Sequence, residues 1–331
     1  MPDDVSPSAH LVDPELVAGS VRPRAPFTDE TLPRLREQMD VALGLLADAT
    51  PCPGQPIEER ELYVPALSSA PNVRIKIFRP QRRGRLPAYL HMHGGGYVLG
   101  TSRFFDAQSR ALADEANCVV VDVDYRPAPE TRAPGAVEDC YAALAWIHDN
   151  ADSLDVDPAR IAIGGESAGA GLAAALALLA RDRGALSICF QSLTYPMLDD
   201  RTVTRQDVNR YVGHHGWSRE DNRYGWSALL GAAPGSAGIS PYAAAARATD
   251  LSDLPPTYLM VGALDLFLEE TIDYGRRLLS AGVPTELHVY PGCFHGFEAF
   301  LPGAQVSQAA NRDRLTALRR ALHGDRSAND R

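Results

Sequence analysis

Lysine is almost absent. Lys76 is the only one in the chain, and no run of lysine and arginine forms a basic stripe. With 32 Lys and Arg against 42 Asp and Glu, the formal net charge is -10. That balance favours solubility and argues against a nucleic-acid surface. No stretch approaches the roughly 18 apolar residues that a transmembrane helix requires, so no membrane-spanning role is expected. The start, Met1-Pro2-Asp3-Asp4-Val5, is acidic and lacks the apolar core of a secretory signal, which makes a cytoplasmic location the default expectation.

Cysteine is sparse as well. Cys52, Cys118, Cys140, Cys189 and Cys293 are scattered, odd in number and without C-x-x-C spacing. A disulfide framework and a zinc site are therefore not expected, and small buried core residues are. Cys293 stands out only because it lies two residues before His295. No internal repeat is visible. The 331 residues suffice for one large α/β domain or two small ones.

What is present has a rhythm. Residues 1 to about 50 read as helical, with Leu35, Met39, Leu43 and Leu46 on one face. Pro51-Cys52-Pro53-Gly54 closes that unit. Arg60–Val64 and Val73–Phe78 then read as an antiparallel pair at a sheet edge. From Leu86 strand-like and helix-like runs alternate: Ala88–Met92 then Phe104–Ala116, Cys118–Val123 then Ala136–Asn150, Ile161–Ile163 then Ala168–Leu179, and Ser187–Leu193. This βαβ pattern predicts a parallel sheet covered on both faces. It breaks between about Leu198 and Pro241, a polar segment holding Trp217 and Trp226 that reads as an insertion. It resumes with Thr257–Val261, Leu268–Leu279, Thr285–Tyr290 and a last helix over Gln305–Leu322. The expected division is therefore 1–50, 51–197, 198–240 and 241–331.

Gly165-Glu166-Ser167-Ala168-Gly169 lies between the apolar run Arg160–Ile163 and an alanine-rich helical stretch. Strand, G-x-S-x-G, helix is the layout of a nucleophile elbow, which lifts a serine hydroxyl above a sheet with a helix N-terminus beneath it. By composition alone about 0.1 such pentapeptides would arise by chance in a chain of this length. A serine needs a base, and the base an orienting carboxylate. In an open parallel sheet these groups sit at strand carboxyl ends. Asp265 follows the strand Thr257–Val261, and His295 follows Thr285–Tyr290 through the glycine-containing loop Gly292–Gly296. The order Ser167, Asp265, His295 fits an α/β-hydrolase. His288 falls within a strand, His148 in a helix, His214 and His215 in the insertion, and His10 and His323 near the termini. Glu269 and Glu270 compete with Asp265 but lie on the helix beyond the loop.

His93-Gly94-Gly95-Gly96-Tyr97 follows the run Leu86–Met92. Consecutive glycines there can offer backbone N–H groups to an oxyanion, and Ala168 N–H, just after the nucleophile, adds another. Gly169-Ala170-Gly171-Leu172-Ala173-Ala174 also fits G-x-G-x-x-A. It is not in the first βαβ unit, and no acidic strand-end residue follows at the required distance, so close helix–sheet packing is the simpler account.

Together these motifs resemble the hormone-sensitive-lipase-like family of α/β-hydrolases, the bacterial family IV carboxylesterases. The resemblance runs from about Val73 to His323. It also takes in Asp124-Tyr125-Arg126-Pro127-Ala128-Pro129-Glu130 and Leu254-Pro255-Pro256. It implies an α/β-hydrolase fold, with a mostly parallel sheet of about eight strands and a helical cap built from the N-terminal region and the 198–240 insertion. It further implies a serine carboxylesterase with Gly95, Gly96 and Ala168 as oxyanion donors, no metal or cofactor, and a homodimer through an exposed sheet edge. Three positions depart from the family pattern: Glu166 replaces Asp or Thr, Leu266 replaces proline, and Pro127 replaces leucine. Short acyl esters are the expected substrates. Tyr97, Tyr211, Trp217 and Phe297 are candidates to line the pocket, each equally fit for ordinary packing. Amidase, deacetylase or lipase chemistry on the same triad stays open, as does a ligand-binding receptor, a role that relatives lacking the triad histidine perform.

Overall fold

The computed structural model describes residues 6–20, 25–47, 54–67, 70–207 and 209–324, with the side chains of 40–47 excluded. Leu43, Leu46, the breaker segment at 51–53 and Cys52 thus lie outside the described residues or side chains. Eight strands form one sheet: β1 (Ile57–Val64), β2 (Val73–Pro80), β3 (Leu86–Met92), β4 (Val119–Asp124), β5 (Val156–Glu166), β6 (Phe190–Thr194), β7 (Thr257–Gly262) and β8 (Thr285–Tyr290). Their spatial order is β1-β2-β4-β3-β5-β6-β7-β8. Pairs β1–β2 and β2–β4 are antiparallel, and the others are parallel.

Burial follows position in the sheet. β3, β6 and β7 are buried along their whole length, as central strands covered on both faces must be. β1 carries Glu58, Glu59, Arg60 and Glu61 outward, which blunts an edge that could otherwise pair with another chain. The helices are α1 (Val17–Ser20), α2 (Leu32–Ala47), α3 (Asp106–Glu115), α4 (Gly135–Asp149), α5 (Ala168–Arg183), α6 (Arg219–Leu230), α7 (Leu268–Ser280), α8 (Phe297–Phe300) and α9 (Gln305–His323). The first 13 residues of α5, Ala168 to Ala180, are all buried, consistent with a helix apolar all round.

The sequence expectation for β5, Ile161–Ile163, is too short. The strand extends back to Val156 because Leu86 of β3 pairs with it there, across a register shift. Pro158 hides that extension, since proline within a run argues against a strand. Among its described residues, the 198–240 insertion holds one 3-10 turn, Asp200–Val203, and helix α6. Ser218 and Asp221 form a reciprocal capping box that starts α6. The carboxylate of Asp200, fully buried, accepts from Arg247 Nε and Nη2 at 2.8 Å each and from the Gly235 N–H at 2.6 Å. It fastens the far end of the insertion to its beginning.

One topological point positions the site. The chain leaves β3 for β4 on one side and then crosses to β5 on the other. The loops after β3 and β5 therefore diverge at a switch point, the place where open α/β sheets bind ligands.

Candidate active site

Ser167 sits at the turn between β5 and α5 with φ 56° and ψ −119°. A non-glycine residue there carries about 1–3 kcal/mol of strain, so its surroundings must hold it. Thr194 at the end of β6 accepts from the Ser167 N–H at 2.9 Å, and the Ser167 carbonyl accepts from Met197 and Gly171 at 3.0 Å each. The flanking glycines serve a close approach. A Cβ on either Gly165 or Gly169 would stand 2.0 Å from the Met92 carbonyl oxygen. The space they leave admits the end of β3 and, at Gly165, also the start of α5, since a Cβ there would stand 3.0 Å from the Gly169 carbonyl carbon.

His295 lies in the loop after β8, where Gly292 and Gly296 take φ of 70° and 76°. Its Nε2 is 3.0 Å from Ser167 Oγ, and its Nδ1 is 2.8 Å from Asp265 Oδ2. A carboxylate only accepts, so Nδ1 carries the proton and Nε2 is free to accept from the serine hydroxyl. Asp265 is fully buried, and its other oxygen accepts from the Phe267 N–H at 2.9 Å. The loops after β7 and β8 also touch directly: Leu264 N–H donates to the Cys293 carbonyl at 2.8 Å. Glu270 faces elsewhere, accepting from the N–H groups of Leu198 and Asp199 and from the Thr202 hydroxyl. Glu269 pairs with Arg205 at 3.6 Å. Burial pushes the Cys293 thiol far above its ordinary range, which makes it an inert neighbour.

The glycine loop is tightly specified. A Cβ at Gly95, whose φ is 128°, would stand 2.1 Å from the Leu99 carbonyl oxygen. Val98 and Leu99 donate back to the Gly95 carbonyl at 3.1 and 2.8 Å. Tyr125 Oη donates to the His93 carbonyl at 2.8 Å, and Arg36 Nε to the Val98 carbonyl at 2.8 Å. Among the described residues, the backbone bonds that shape this loop and the start of α5 leave the N–H groups of Gly95, Gly96 and Ala168 unused.

Of the four aromatic candidates, Trp217 approaches His295, with ring centroids 6.4 Å apart. Tyr97 is buried and donates its hydroxyl to the Met197 carbonyl at 2.8 Å. Phe297 is buried against Tyr290, and Tyr211 packs against His10 and Arg210. Two aromatic neighbours of His295 were not anticipated: Tyr195 at 4.6 Å and Phe267 at 5.1 Å, both edge-on. Tyr195 directly follows β6, so the strand-end rule that found Asp265 and His295 could have found it. Segment 215–217 packs against His295. A Cβ on Gly216 would stand 2.3 Å from the His295 carbonyl oxygen. His215 donates from Nδ1 to the Ser20 carbonyl at 2.9 Å and faces Ser8 Oγ at 3.2 Å. Among the described residues, no cluster of His, Cys, Asp and Glu is arranged to hold a metal ion, and no helix is long and apolar enough to cross a membrane.

A family profile described as an alpha/beta hydrolase fold matches residues 89–299. The chain is 35% identical to the esterase LipI of Mycobacterium tuberculosis over 249 residues, covering 72% of this chain and 74% of that protein. It is 35% identical to the carboxylesterase NlhH of the same organism over 282 residues, covering 81% and 83%. Among solved structures, a bacterial heroin esterase matches with TM-score 0.88 and 42% identity, covering 95% of this chain and 98% of that one. The esterase LipW from Mycobacterium marinum matches with TM-score 0.86 and 32% identity, covering 96% and 98%. The chain belongs to the hormone-sensitive-lipase-like family of α/β-hydrolases.

Proposed function

We propose that the protein is a serine carboxylesterase that cleaves short- to medium-chain acyl esters through a covalent acyl-enzyme. The observation that carries this reading is the continuous relay Ser167 Oγ, His295 Nε2, His295 Nδ1, Asp265 Oδ2, with links of 3.0 and 2.8 Å. Ser167 Oγ attacks the ester carbonyl carbon while its proton passes to His295 Nε2. The carbonyl oxygen becomes an oxyanion and accepts from the N–H groups of Gly95, Gly96 and Ala168. Collapse of the adduct breaks the bond to the leaving alkoxide, which takes the proton from Nε2. A water then repeats the sequence, giving its proton to Nε2 as it attacks the acyl carbon. Ser167 leaves with that proton and the acid departs. Asp265 keeps the imidazole in the competent tautomer and stabilises the imidazolium. No step calls for a metal or cofactor.

The preference for short chains rests on the cap. In this reading the cap consists of the N-terminal segment and the 198–240 insertion, joined through His215 and the serines it contacts. Trp217 from that cap lies against Gly96 and near His295, which limits the room around the reacting carbonyl. The test is hydrolysis of nitrophenyl acetate, butyrate, octanoate and palmitate by the wild type and by Ser167→Ala. Activity falling with chain length and lost in the variant is the expected result. Activity that survives in Ser167→Ala would overturn the nucleophile assignment.

A further inference from the structure

Four charged side chains cluster behind the nucleophile, three of them buried and Arg314 partly buried, and the proposed reaction uses none of them. His91, 3% exposed and two residues before His93, bridges two carboxylates. Its Nδ1 is 3.0 Å from Asp122 Oδ1 and its Nε2 is 2.8 Å from Glu166 Oε2. Both partners accept, so both ring nitrogens carry protons and the ring is an imidazolium. Glu166 also accepts from Arg314 Nη1 at 2.9 Å and Gln108 Nε2 at 3.1 Å. Asp122 accepts from Ser109 Oγ, 2.8 Å from each carboxylate oxygen. Two positive and two negative groups thus tie β3, β4 and β5 to α3 and α9.

Stability is a poor explanation for this cluster, because apolar residues of similar volume often replace a buried ion pair without loss. Its place in the sheet suggests another role. Opposite His91 and Met92 on β5 stand Gly164 and Gly165, which offer no side chain to interlock the strand ends. The next residue, Glu166, is the first that can, and it directly precedes the strained Ser167. Across the same gap, a Cβ at Gly94 would stand 3.1 Å from the Glu166 carbonyl oxygen and 3.5 Å from Ser167 Cβ. A slide of β3 along β5 would therefore change the distance between the nucleophile and the glycine N–H groups.

We infer that His91 and Glu166 form a positioning pair, whose bond fixes the nucleophile elbow against the strand that carries the oxyanion glycines. The inference rests on the serine-nucleophile reading above. A misplacement of about 1 Å can cost about 100-fold in rate, so the pair acts through Ser167 without touching substrate.

The experiment uses Glu166→Gln, His91→Gln and the double variant. Three quantities are read: kcat and KM on nitrophenyl acetate, the rate of covalent inactivation by a nitrophenyl phosphonate, and Tm. Each single change should lower kcat and the inactivation rate together by about 10- to 100-fold, with KM moving less than about threefold. The double variant should be no slower than the poorer single one, because the bond is already lost. Glu166→Asp, which keeps the charge but draws it back, should fall between. If His91→Gln fails to fold, the two Glu166 variants decide, since they leave His91 paired with Asp122. Folded Glu166 variants with wild-type kcat and inactivation rate would overturn the pair while leaving the esterase reading intact. A wild type inert to both ester and phosphonate would overturn the esterase reading and this inference with it.

Discussion

Gly96 lies directly under the indole of Trp217: a Cβ on residue 96 would stand 2.2 Å from the ring atom Cη2. The contact joins a proposed oxyanion donor to the insertion between β6 and β7. The same indole is 6.4 Å, centroid to centroid, from the His295 ring. In the proposed reading Trp217 is a wall beside the reacting carbonyl. Trp217→Ala should admit longer acyl chains, and each methylene newly accommodated is worth about 1–3 kcal/mol. The expected outcome is at least a tenfold rise, roughly, in the ratio of kcat/KM for octanoate over acetate. Because loss of a buried aromatic costs about 3–5 kcal/mol of stability, Trp217→Phe should be measured beside it. An unchanged ratio in folded protein would remove Trp217 from the pocket.

Gly95→Ala should abolish most activity for a reason internal to the loop. The new methyl would meet backbone, the Leu99 carbonyl oxygen at 2.1 Å, at a φ of 128°. Backbone cannot swing aside as a side chain can, so the N–H directions of the loop must change. Loss of one oxyanion donor corresponds to about 100- to 1,000-fold in kcat. Gly84→Ala is the matched control: φ is 90° there and nothing lies within 4 Å of the added methyl. That control should lose some stability and keep its kcat. Equal kcat in the two variants would argue against Gly95 as a donor.

Asp265→Asn tests the orienting role without changing shape. Asp265 accepts from His295 Nδ1 at 2.8 Å and from the Phe267 N–H at 2.9 Å. An amide can donate toward Nδ1, which would place the imidazole proton on Nε2 and point it at Ser167. The equivalent change in serine proteases lowers kcat by about 10,000-fold, and a similar loss is expected here with little change in Tm. Retention of more than about a tenth of kcat would shift the carboxylate role to another residue.

The hydrogen-bonded arrangement of Ser167, His295 and Asp265 was legible because each member obeys a local rule. Ser167 stands in a strand-turn-helix pentapeptide, Asp265 follows the apolar run Thr257–Val261, and His295 follows a strand in which Glu286, Leu287, His288 and Val289 alternate polar and apolar. Thr285–Tyr290 was read with the bounds it has. The positioning pair was not legible, although both residues were in view. His91 lay inside an expected strand, and Glu166 counted only as a departure from a family pattern. Their contact depends on β3 lying beside β5, a sheet order that alternation of strands and helices does not encode. Trp217 on Gly96 is hidden for a related reason, since the path of an irregular insertion over the sheet has no periodicity to read. Adjacency to the glycine loop made Tyr97 a candidate for pocket lining and for packing alike, and its hydroxyl turns to the Met197 carbonyl.

The buried cluster also gives stability a defined pH dependence. Burial alone would lower the His91 pKa, but the neighbouring Glu166 and Asp122 raise it from 6.5 to about 10. Burial alone would raise Glu166, but His91 and Arg314 lower it from 4.5 to about 2. A raised histidine contributes fully below its unfolded pKa and loses that contribution as pH climbs. For His91 the loss runs from pH 6.5 to about 10. A depressed carboxyl contributes fully above its unfolded pKa, so for Glu166 the loss runs from pH 4.5 down to about 2. Stability from the pair is therefore complete only between pH 4.5 and 6.5. Urea midpoints for the wild type and Glu166→Gln, taken from pH 3 to pH 10, should differ most within that window. On the acid side the gap should narrow as the wild type loses what the variant never had. Parallel curves across the acid range would mean that the Glu166 charge contributes nothing to the folded state.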